Sequence, residues 1–286
     1  MKARALASLA FVAALAGSSG AHAFCRSTTC SGSCVRDEND CKIDGLPLFW
    51  ASSCVGFSLQ ENGSEHIAFA DFEAVAIQSF VAWSELDCGG GLSSIAFTRL
   101  ADVACHRAEY DPSGPNANVV MFQDYKWDYQ GTDNTLAKTT VTFDSDTGEI
   151  LDADIELNHA FNELTVGDDQ VVYDLQSILT HEIGHLMGLD HTLDAIATMN
   201  AGYAPGDTDL RDLESDDIAG VCAAYPPDRP ATCRPEPRGG LADACSTSDD
   251  DEGEGSCAMA PAPRSHGAVP WLVAALAMLA SRRRAR

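Results

Sequence analysis

The chain has 286 residues, with 43 acidic and 18 basic side chains and a formal net charge of −25 at pH 7. A surface this acidic repels other polyanions, so the composition argues against nucleic acid and anionic lipid as binding partners. The acidic composition does not indicate which partner the protein binds, because a high content of acidic residues most often serves solubility.

The first 23 residues are predicted to form a secretory signal peptide. Lys2 and Arg4 precede the apolar run "ALASLAFVAALAG", and the small residues "AHA" end at Ala23. A basic start, a short apolar middle and a small-residue cleavage site are typical of export signals. An N-terminal membrane anchor is the alternative, which the short apolar run disfavours. We therefore expect an exported protein, extracellular or on the cell surface.

Composition divides the rest of the chain into four parts. Residues 24–45 are rich in cysteine and lack apolar periodicity, whereas residues 46–225 have the pattern of one globular domain. Residues 226–256 are rich in proline, glycine and acid, which predicts a linker without a core of its own. Residues 257–286 are predicted to be a C-terminal sorting or anchor tail. Between the two predicted end signals, residues 24–256 carry 11 basic and 43 acidic side chains, a net charge of −32.

Eleven cysteines accompany the export signal. With Cys257 assigned to the tail, ten remain, and an even number in an exported chain predicts up to five disulfides. Connectivity cannot be deduced from the sequence, although the spacing makes Cys88–Cys105 and Cys222–Cys233 plausible local pairs. A zinc cluster in "CRSTTCSGSC" is disfavoured because the paired CxxC spacing is absent.

The apolar pattern predicts a mixture of helices and strands in chain order. Residues 71–86 have a broad apolar face at helical spacing, residues 118–124 are predicted to be a strand, and residues 138–158 two strands joined at the "DTG" turn. Residues 171–188 and 213–225 are predicted to be two further helices.

Three residues are predicted to mark the ends of these last two helices. Asp174 is the expected N-cap of the first helix and Gly188 its C-terminal stop, and Ser215 is the expected N-cap of the second.

The stretch "THEIGHLMGLDHT", residues 180–192, contains the residues most suited to metal binding and catalysis. His181 and His185 are four residues apart, so a helix places them on one face, where both can reach a single metal ion. Glu182 lies beside them without being needed as a ligand. It can therefore serve as general base for water activated by the metal.

A third ligand is predicted beyond the helix. Gly188 permits a sharp turn after the last helical residues, and His191 follows three residues later from a new direction. Three imidazoles leave one position of tetrahedral zinc open, as in catalytic sites. A bare HExxH occurs by chance, whereas the full HExxHxxGxxH is far more specific, which disfavours an ordinary histidine-rich helix end.

These residues resemble the metzincin metalloproteases and, within them, the matrixins. "ATMNAGY" supplies Met199 eight residues after His191, matching the methionine turn of that family. Tyr203 has the matrixin spacing after the methionine. The position where some metzincins carry a tyrosine ligand is Ala201, so no tyrosine ligand is expected.

The resemblance covers residues 46–225 and implies an α+β metzincin fold. It implies a twisted mixed sheet with an antiparallel edge strand, packed on two long helices, with a C-terminal closing helix. A substrate peptide would add a strand along the edge. The latency segment "PRCGxPD" of many matrixins is absent. A free thiolate from residues 25–41 capping the zinc remains an alternative to disulfide pairing there.

An acidic stretch offers candidate calcium ligands. "DSDTGEILDADIELN" contains Asp144, Asp146, Asp152, Asp154 and Glu156, and carboxylate oxygens are the ligands that calcium prefers. Alternation along a strand would direct the last three to one side. An acidic face exposed to solvent is the alternative, and the sequence does not decide between them.

The C-terminal tail has a short apolar stretch of 13 residues, 268–280, before four arginines. Because a helix needs ~20 apolar residues to span a bilayer comfortably, this stretch is short for an anchor. With Cys257 just upstream, it resembles the C-terminal sorting tails of myxobacterial surface proteins, which implies transient membrane anchoring. A plain C-terminal anchor is the alternative.

Together, these features predict a secreted or surface-displayed zinc endopeptidase. Its expected partners are protein or peptide substrates, and we expect a monomer. The alternative is a metal-binding surface or adhesion protein that retains the fold without catalysis.

Overall fold

The computed structural model describes residues 24–129 and 135–245 and the backbone of residues 256–261. The predicted signal peptide lies outside these residues, as do residues 246–255 of the predicted linker and residues 262–286 of the predicted tail. Within the described part of the chain, no helix has both the length and the apolar character needed to cross a membrane.

The described residues form three α-helices and eleven strands. The helices are α1 (Phe69–Ala82), α2 (Leu175–Leu186) and α3 (Ser215–Ala224). The strands are β1 (Cys25–Arg26), β2 (Cys54–Leu59), β3 (Ala96–Arg99), β4 (Val119–Gln123), β5 (Ala137–Phe143), β6 (Ile150–Asn158), β7 (Leu164–Thr165), β8 (Tyr173–Asp174), β9 (Leu189–Asp190), β10 (Gly202–Tyr203) and β11 (Ser256–Pro261).

One mixed sheet forms the centre of the fold. Five strands lie in the order β3-β2-β4-β6-β5, and β11 and β10 follow beyond β5. Strands β3, β2, β4 and β6 are parallel, whereas β5 runs antiparallel to β6. The predicted α+β fold, with a mixed sheet and an antiparallel strand at one side, is confirmed.

Strand β4 contributes apolar side chains to both faces of the sheet, so both faces are covered. Its residues alternate between two apolar clusters, with Val120 and Phe122 in the main core and Val119 and Met121 in a smaller one. The main core includes the buried faces of α1 and α2. The smaller core is completed by residues 241–245. This alternation follows from the period of two in a strand.

The two long helices are joined by a buried polar contact as well as by apolar packing. Trp83 Nε1 donates a hydrogen bond to the Thr180 carbonyl of α2 over 2.7 Å. Trp83 is the C-cap of α1, so the helix ends at Ala82, earlier than the predicted residue 86. Glu85 then adopts a positive φ of 53°, which takes the chain out of the helix.

Helix α3 lies within the predicted range 213–225, but it begins one residue earlier than the predicted cap allows. Glu214, not Ser215, is the N-cap. The Glu214 side chain accepts from the backbone of Asp217, whose own side chain accepts from the Glu214 N–H, so the two form a capping box. The prediction of Ser215 as cap was wrong because the reciprocal acid pair satisfies two backbone donors at once.

Five disulfides stabilise the fold, as the cysteine count predicted. The pairs are Cys25–Cys41, Cys30–Cys34, Cys54–Cys233, Cys88–Cys222 and Cys105–Cys245. The suggested local pairs Cys88–Cys105 and Cys222–Cys233 were wrong. Folding brings together cysteines 134 to 179 residues apart in three of the bonds, which proximity in sequence cannot indicate. Because Cys25, Cys30, Cys34 and Cys41 are all paired, the thiolate alternative is also removed.

Residues 226–245, the first part of the predicted linker, pack against the domain. Two of the disulfides hold this segment, through Cys233 and Cys245. Arg229 also donates hydrogen bonds to the carbonyl oxygens of Trp50 (2.7 Å) and Ser94 (3.0 Å). A segment whose composition predicts no core of its own can therefore still be ordered. Here, disulfides and hydrogen bonds to backbone carbonyls of the domain hold the segment in place.

We predict that the disulfides differ strongly in their contribution to stability. In the chain-entropy account, the Cys88–Cys222 bond, which spans 134 residues, contributes about 5 kcal/mol to the free energy of unfolding. The Cys30–Cys34 bond, which spans four residues, contributes about 2 kcal/mol. Urea unfolding of the two double Cys→Ser variants should show the larger loss for the first. Equal losses would contradict this ranking.

Candidate metal centre and active site

Helix α2 begins at a strongly held N-cap. The Asp174 side chain accepts a hydrogen bond from the Ser177 N–H over 2.8 Å, as predicted for a helix start. Arg211 binds the same carboxylate through Nε (2.8 Å) and Nη2 (2.7 Å). The Asp174 N–H donates to the Tyr203 hydroxyl over 2.7 Å. The start of the helix is therefore fixed by its own first turn and by two other parts of the chain, at Tyr203 and Arg211.

The other end of α2 turns sharply at Gly188. This residue has a φ of 85°, and a Cβ there would lie 2.6 Å from the Leu48 carbonyl oxygen. Both the left-handed backbone and the close approach require glycine. The turn leads into β9 and brings His191 back over the helix, as the sequence predicted for Gly188.

Three histidines converge beyond this turn. The Nε2 atoms of His181, His185 and His191 are each 3.1 Å from the other two. His181 and His185 are completely buried, and His191 is partly buried. Nitrogens that share a tetrahedral zinc at ~2.0–2.1 Å are ~3.3–3.4 Å apart, so the triangle needs to open by only about 0.3 Å or less to hold the ion.

In two of the histidine rings, hydrogen bonding determines which nitrogen carries no hydrogen. His181 Nδ1 lies 2.6 Å from the Thr198 carbonyl oxygen, and His185 Nδ1 lies 3.0 Å from that of Leu189. Because a carbonyl can only accept, each Nδ1 carries the hydrogen and each Nε2 presents a lone pair. Two lone pairs 3.1 Å apart repel each other unless a cation lies between them. The donor set therefore fits a metal ion.

The electrostatics keep the three rings neutral. Burial lowers the pKa of His181 well below its usual value and that of His185 to about 3. Burial likewise lowers the pKa of His191. The neighbouring histidines add to the effect for His181 and His185. Neutral imidazoles are the form that binds metal, so the ligands do not need to lose protons at neutral pH.

Glu182 is buried beside the three histidines. Its Oε2 accepts a hydrogen bond of 2.6 Å from the Thr139 hydroxyl on β5. The same hydroxyl lies 3.2 Å from the Glu182 backbone oxygen. Thr139 therefore orients the carboxylate and ties α2 to β5. Thr139 was not predicted, because nothing in the strand pattern indicates which helix residue it contacts.

A family model described as matrixin matches residues 50–226, more than half of the chain. The chain belongs to the matrixin family. Metalloendoproteinase 1-MMP of Arabidopsis thaliana is 46% identical over 61 residues, which cover 21% of this chain and 16% of that protein. Probable matrix metalloproteinase 095L of Invertebrate iridescent virus 3 is 30% identical over 118 residues, covering 38% and 29%. Human matrix metalloproteinase-16 is 41% identical over 66 residues, covering 22% and 11%. The chain thus spans less than a third of the length of these relatives.

Met199 of the predicted methionine turn is buried and packs against helix α2 of this matrixin. A Cβ on Gly184 would lie 2.1 Å from the Met199 sulfur and 3.1 Å from Trp83 Cζ2. The helix can approach the methionine only because residue 184 has no side chain. Gly184 was not among the predicted site residues, although a glycine inside a helical pattern is itself a signal of close packing.

The methionine turn is held by Asp217 of α3. Its carboxylate accepts hydrogen bonds from the backbone N–H groups of Thr198 (2.8 Å) and Met199 (3.0 Å). The carbonyl oxygen of Thr198 in turn accepts a hydrogen bond from His181 Nδ1. Asp217 thus orients a candidate metal ligand through one intermediate residue. It was not predicted, since its role depends on a contact between separate elements.

The cysteine-rich N-terminal segment supports the third histidine. Strand β1 pairs with β9, placing Arg26 opposite Leu189. Lys42 forms an ion pair of 3.1 Å with Asp190, whose carboxylate accepts the His191 N–H over 2.9 Å. The segment therefore stabilises the loop that carries His191.

The candidate calcium ligands Asp152, Asp154 and Glu156 lie buried on one side of β6. Asp154 accepts from the backbone N–H groups of Val119 (2.9 Å) and Glu109 (3.1 Å). The alternative of a solvent-exposed acidic face was wrong, because each of the three is less than 5% exposed.

Protein donors also bind Glu156, whereas Oδ1 of Asp152 is buried without a hydrogen-bond partner in the described part of the chain. Glu156 accepts from Gln123 Nε2 over 3.0 Å and from the Tyr129 hydroxyl. Burial raises the pKa of Asp152, Asp154 and Glu156. Among the described residues, the sets whose ligand atoms converge include the three histidines but not these acids. Calcium binding here stays a prediction, and Asp144 and Asp146 lie in the exposed turn before β6.

We predict that Gly184→Ala destabilises this matrixin. Helix propensity alone would favour alanine by about 1 kcal/mol. The clash with Met199 outweighs this gain, because overpacking a core costs about 1–3 kcal/mol. Urea unfolding should therefore show a net loss, together with weaker zinc retention.

The control for this variant is Gly90→Ala, where a Cβ has no neighbour within 4 Å. It should leave both the free energy of unfolding and zinc retention almost unchanged. An increase in stability of the Gly184→Ala protein would contradict the packing argument.

Proposed function

We propose that this matrixin is an exported zinc endopeptidase that hydrolyses peptide bonds in protein or peptide substrates. The observation that carries the proposal is the convergence of three histidine Nε2 atoms beside a buried glutamate that is not part of the triangle. This combination provides both a metal site and a base, which a purely structural metal site does not require.

His181, His185 and His191 would hold the zinc. When bound, zinc supplies Lewis acidity, which polarises a carbonyl oxygen and makes water easier to deprotonate. Glu182 would accept the proton of the attacking water on its carboxylate and then pass it to the leaving amine. Thr139 keeps the carboxylate oriented through its bond to Oε2.

Strand β5 is the proposed binding edge for the substrate. It is the outermost of the five main strands, and its Thr139 contacts Glu182 directly. An extended peptide that hydrogen-bonds to β5 would run past the histidines, with the main chain providing affinity and side-chain pockets providing specificity. Residues 204–213 would form a wall of the pocket beyond the scissile bond. Arg211 fixes this segment by binding Asp168 and Asp174.

Export is supported by the disulfides. Five disulfides form and persist only where the environment is oxidising, which agrees with the predicted signal peptide. We propose that the protein is located outside the cell or on its surface and that it is a monomer. The C-terminal tail would anchor it transiently to the membrane.

A non-catalytic surface protein on the same fold is the competing function. The strong negative charge and the cysteine-rich segment are compatible with it. It leaves unexplained why Glu182, which is not in the ligand triangle, is buried next to the histidines and oriented by Thr139. Burying an acid is costly, so a scaffold that needed only the metal would gain nothing from it.

We predict that Glu182→Ala removes cleavage of an unfolded protein substrate but retains zinc. Loss of a general base reduces turnover by about 10²–10⁴-fold. The matched control is Glu61→Ala, which replaces an exposed glutamate and should keep the wild-type rate. Rates and zinc content would be measured on the same preparations. Wild-type turnover by the Glu182→Ala protein would refute the mechanism, and zinc without cleavage in every variant would favour the surface protein.

A further inference from the structure

Strand β11, Ser256–Pro261, lies between the two elements that border the candidate active site. It pairs antiparallel with β5, with Cys257 opposite Thr139 and Met259 opposite Ala137. It pairs in parallel with β10, with Ala260 opposite Gly202. A segment from the C-terminal part of the chain thus extends the sheet beyond its last main strand.

The position of β11 coincides with the proposed substrate edge. The residue opposite Cys257 is Thr139, whose hydroxyl contacts Glu182. On the other side, β10 begins three residues after Met199 in the methionine turn. A backbone that pairs with both β5 and β10 therefore runs directly past the candidate base, and a second peptide cannot pair with β5 at the same time.

We infer that residues 256–261 are an intramolecular occupant of the substrate edge and compete with other peptides for it. The inference rests on the proposed function, because the edge has to be the substrate site for the competition to affect activity. The partner of this surface is thus a segment of the same chain.

The chain connection makes this competition effective. Cys245 is fixed to the domain by its disulfide with Cys105, and only ten residues separate it from Ser256. A connection of this length gives an effective concentration on the order of 1 mM. If the segment alone binds with a Kd of about 0.1 mM, tethering would raise the apparent KM for other peptides about tenfold.

The sequence of the segment suits this position. "SCAMAP" carries no charge, whereas the preceding "STSDDDEGEG" carries five acidic residues. In a chain this acidic, an uncharged segment can approach the domain without the repulsion that the preceding acids would meet. Main-chain hydrogen bonds supply the affinity of an added strand, so small side chains do not prevent binding.

Hydrogen exchange tests the occupancy without relying on activity. The zinc-loaded full chain would carry Glu182→Ala, so that the segment is not hydrolysed. It would be compared with the same chain carrying Ala258→Pro and Met259→Pro. Two consecutive prolines remove one N–H from each side of the strand and so break its pairing. The amides of β5 that point away from β6 should exchange about tenfold faster in the proline variant.

Asp250→Pro with Asp251→Pro is the matched control, since these residues precede the strand. It should leave the exchange of β5 unchanged. Equal exchange of β5 in all three chains would overturn the inference, whatever the enzyme does.

Kinetics tests the competition in chains that retain Glu182. For a peptide substrate added in trans, the Ala258→Pro, Met259→Pro chain should show an apparent KM about tenfold lower than the wild-type chain, with kcat unchanged. Equal KM values with normal cleavage would overturn this inference and leave the proposed function intact. Absence of cleavage from every chain would instead contradict the proposed function, and the exchange experiment would still decide whether the segment occupies the edge.

Discussion

The structure depends on holding three imidazole nitrogens 3.1 Å apart. The lone pairs of two of them are directed by carbonyl acceptors on the other side of each ring. Such an arrangement is unfavourable without a cation, and burial adds to the cost by excluding water. It persists only because the surrounding chain fixes each ring independently. In this matrixin, the candidate metal centre is therefore a property of the whole domain and not of one helix.

His181 and His191 are positioned by different parts of the fold. His181 is oriented by Thr198, whose backbone N–H is bound by Asp217 of the closing helix. His191 is positioned through Asp190 and, beyond it, Lys42 of the cysteine-rich segment. The Cys88–Cys222 disulfide fastens the closing helix to the domain, whereas the two disulfides of the cysteine-rich segment join residues within that segment. Parts of the chain far from the three histidines thus determine the geometry of the candidate ligands, and such supporting contacts commonly change metal affinity 10–100-fold.

The sequence predicted the features that are encoded locally. The helix cap at Asp174, the turn at Gly188 and the strand pair before and after the "DTG" turn all follow from residues a few positions apart. The convergence of the candidate ligands also follows, because His181, His185 and His191 lie on one helix and its exit. Their spacing in the sequence leaves little freedom in space.

Contacts between distant segments could not be predicted. Thr139 contacts Glu182 across 43 residues, and Lys42 forms an ion pair with Asp190. Three disulfides join cysteines more than 130 residues apart. No periodicity specifies such pairs, because they depend on how sheet and helices pack. The pairing of β11 with β5 is of the same kind. Composition alone predicted a linker and a tail there, whereas the backbone of residues 256–261 forms a strand.

The most direct test of the account is X-ray absorption spectroscopy of the purified, zinc-loaded chain. We expect one zinc per chain with three imidazole nitrogens at ~2.0–2.1 Å and one further light ligand. His191→Gln should lose one imidazole from this shell and bind zinc more weakly. A shell containing sulfur, or one unchanged by the His191 substitution, would contradict the three-histidine centre on which the account rests.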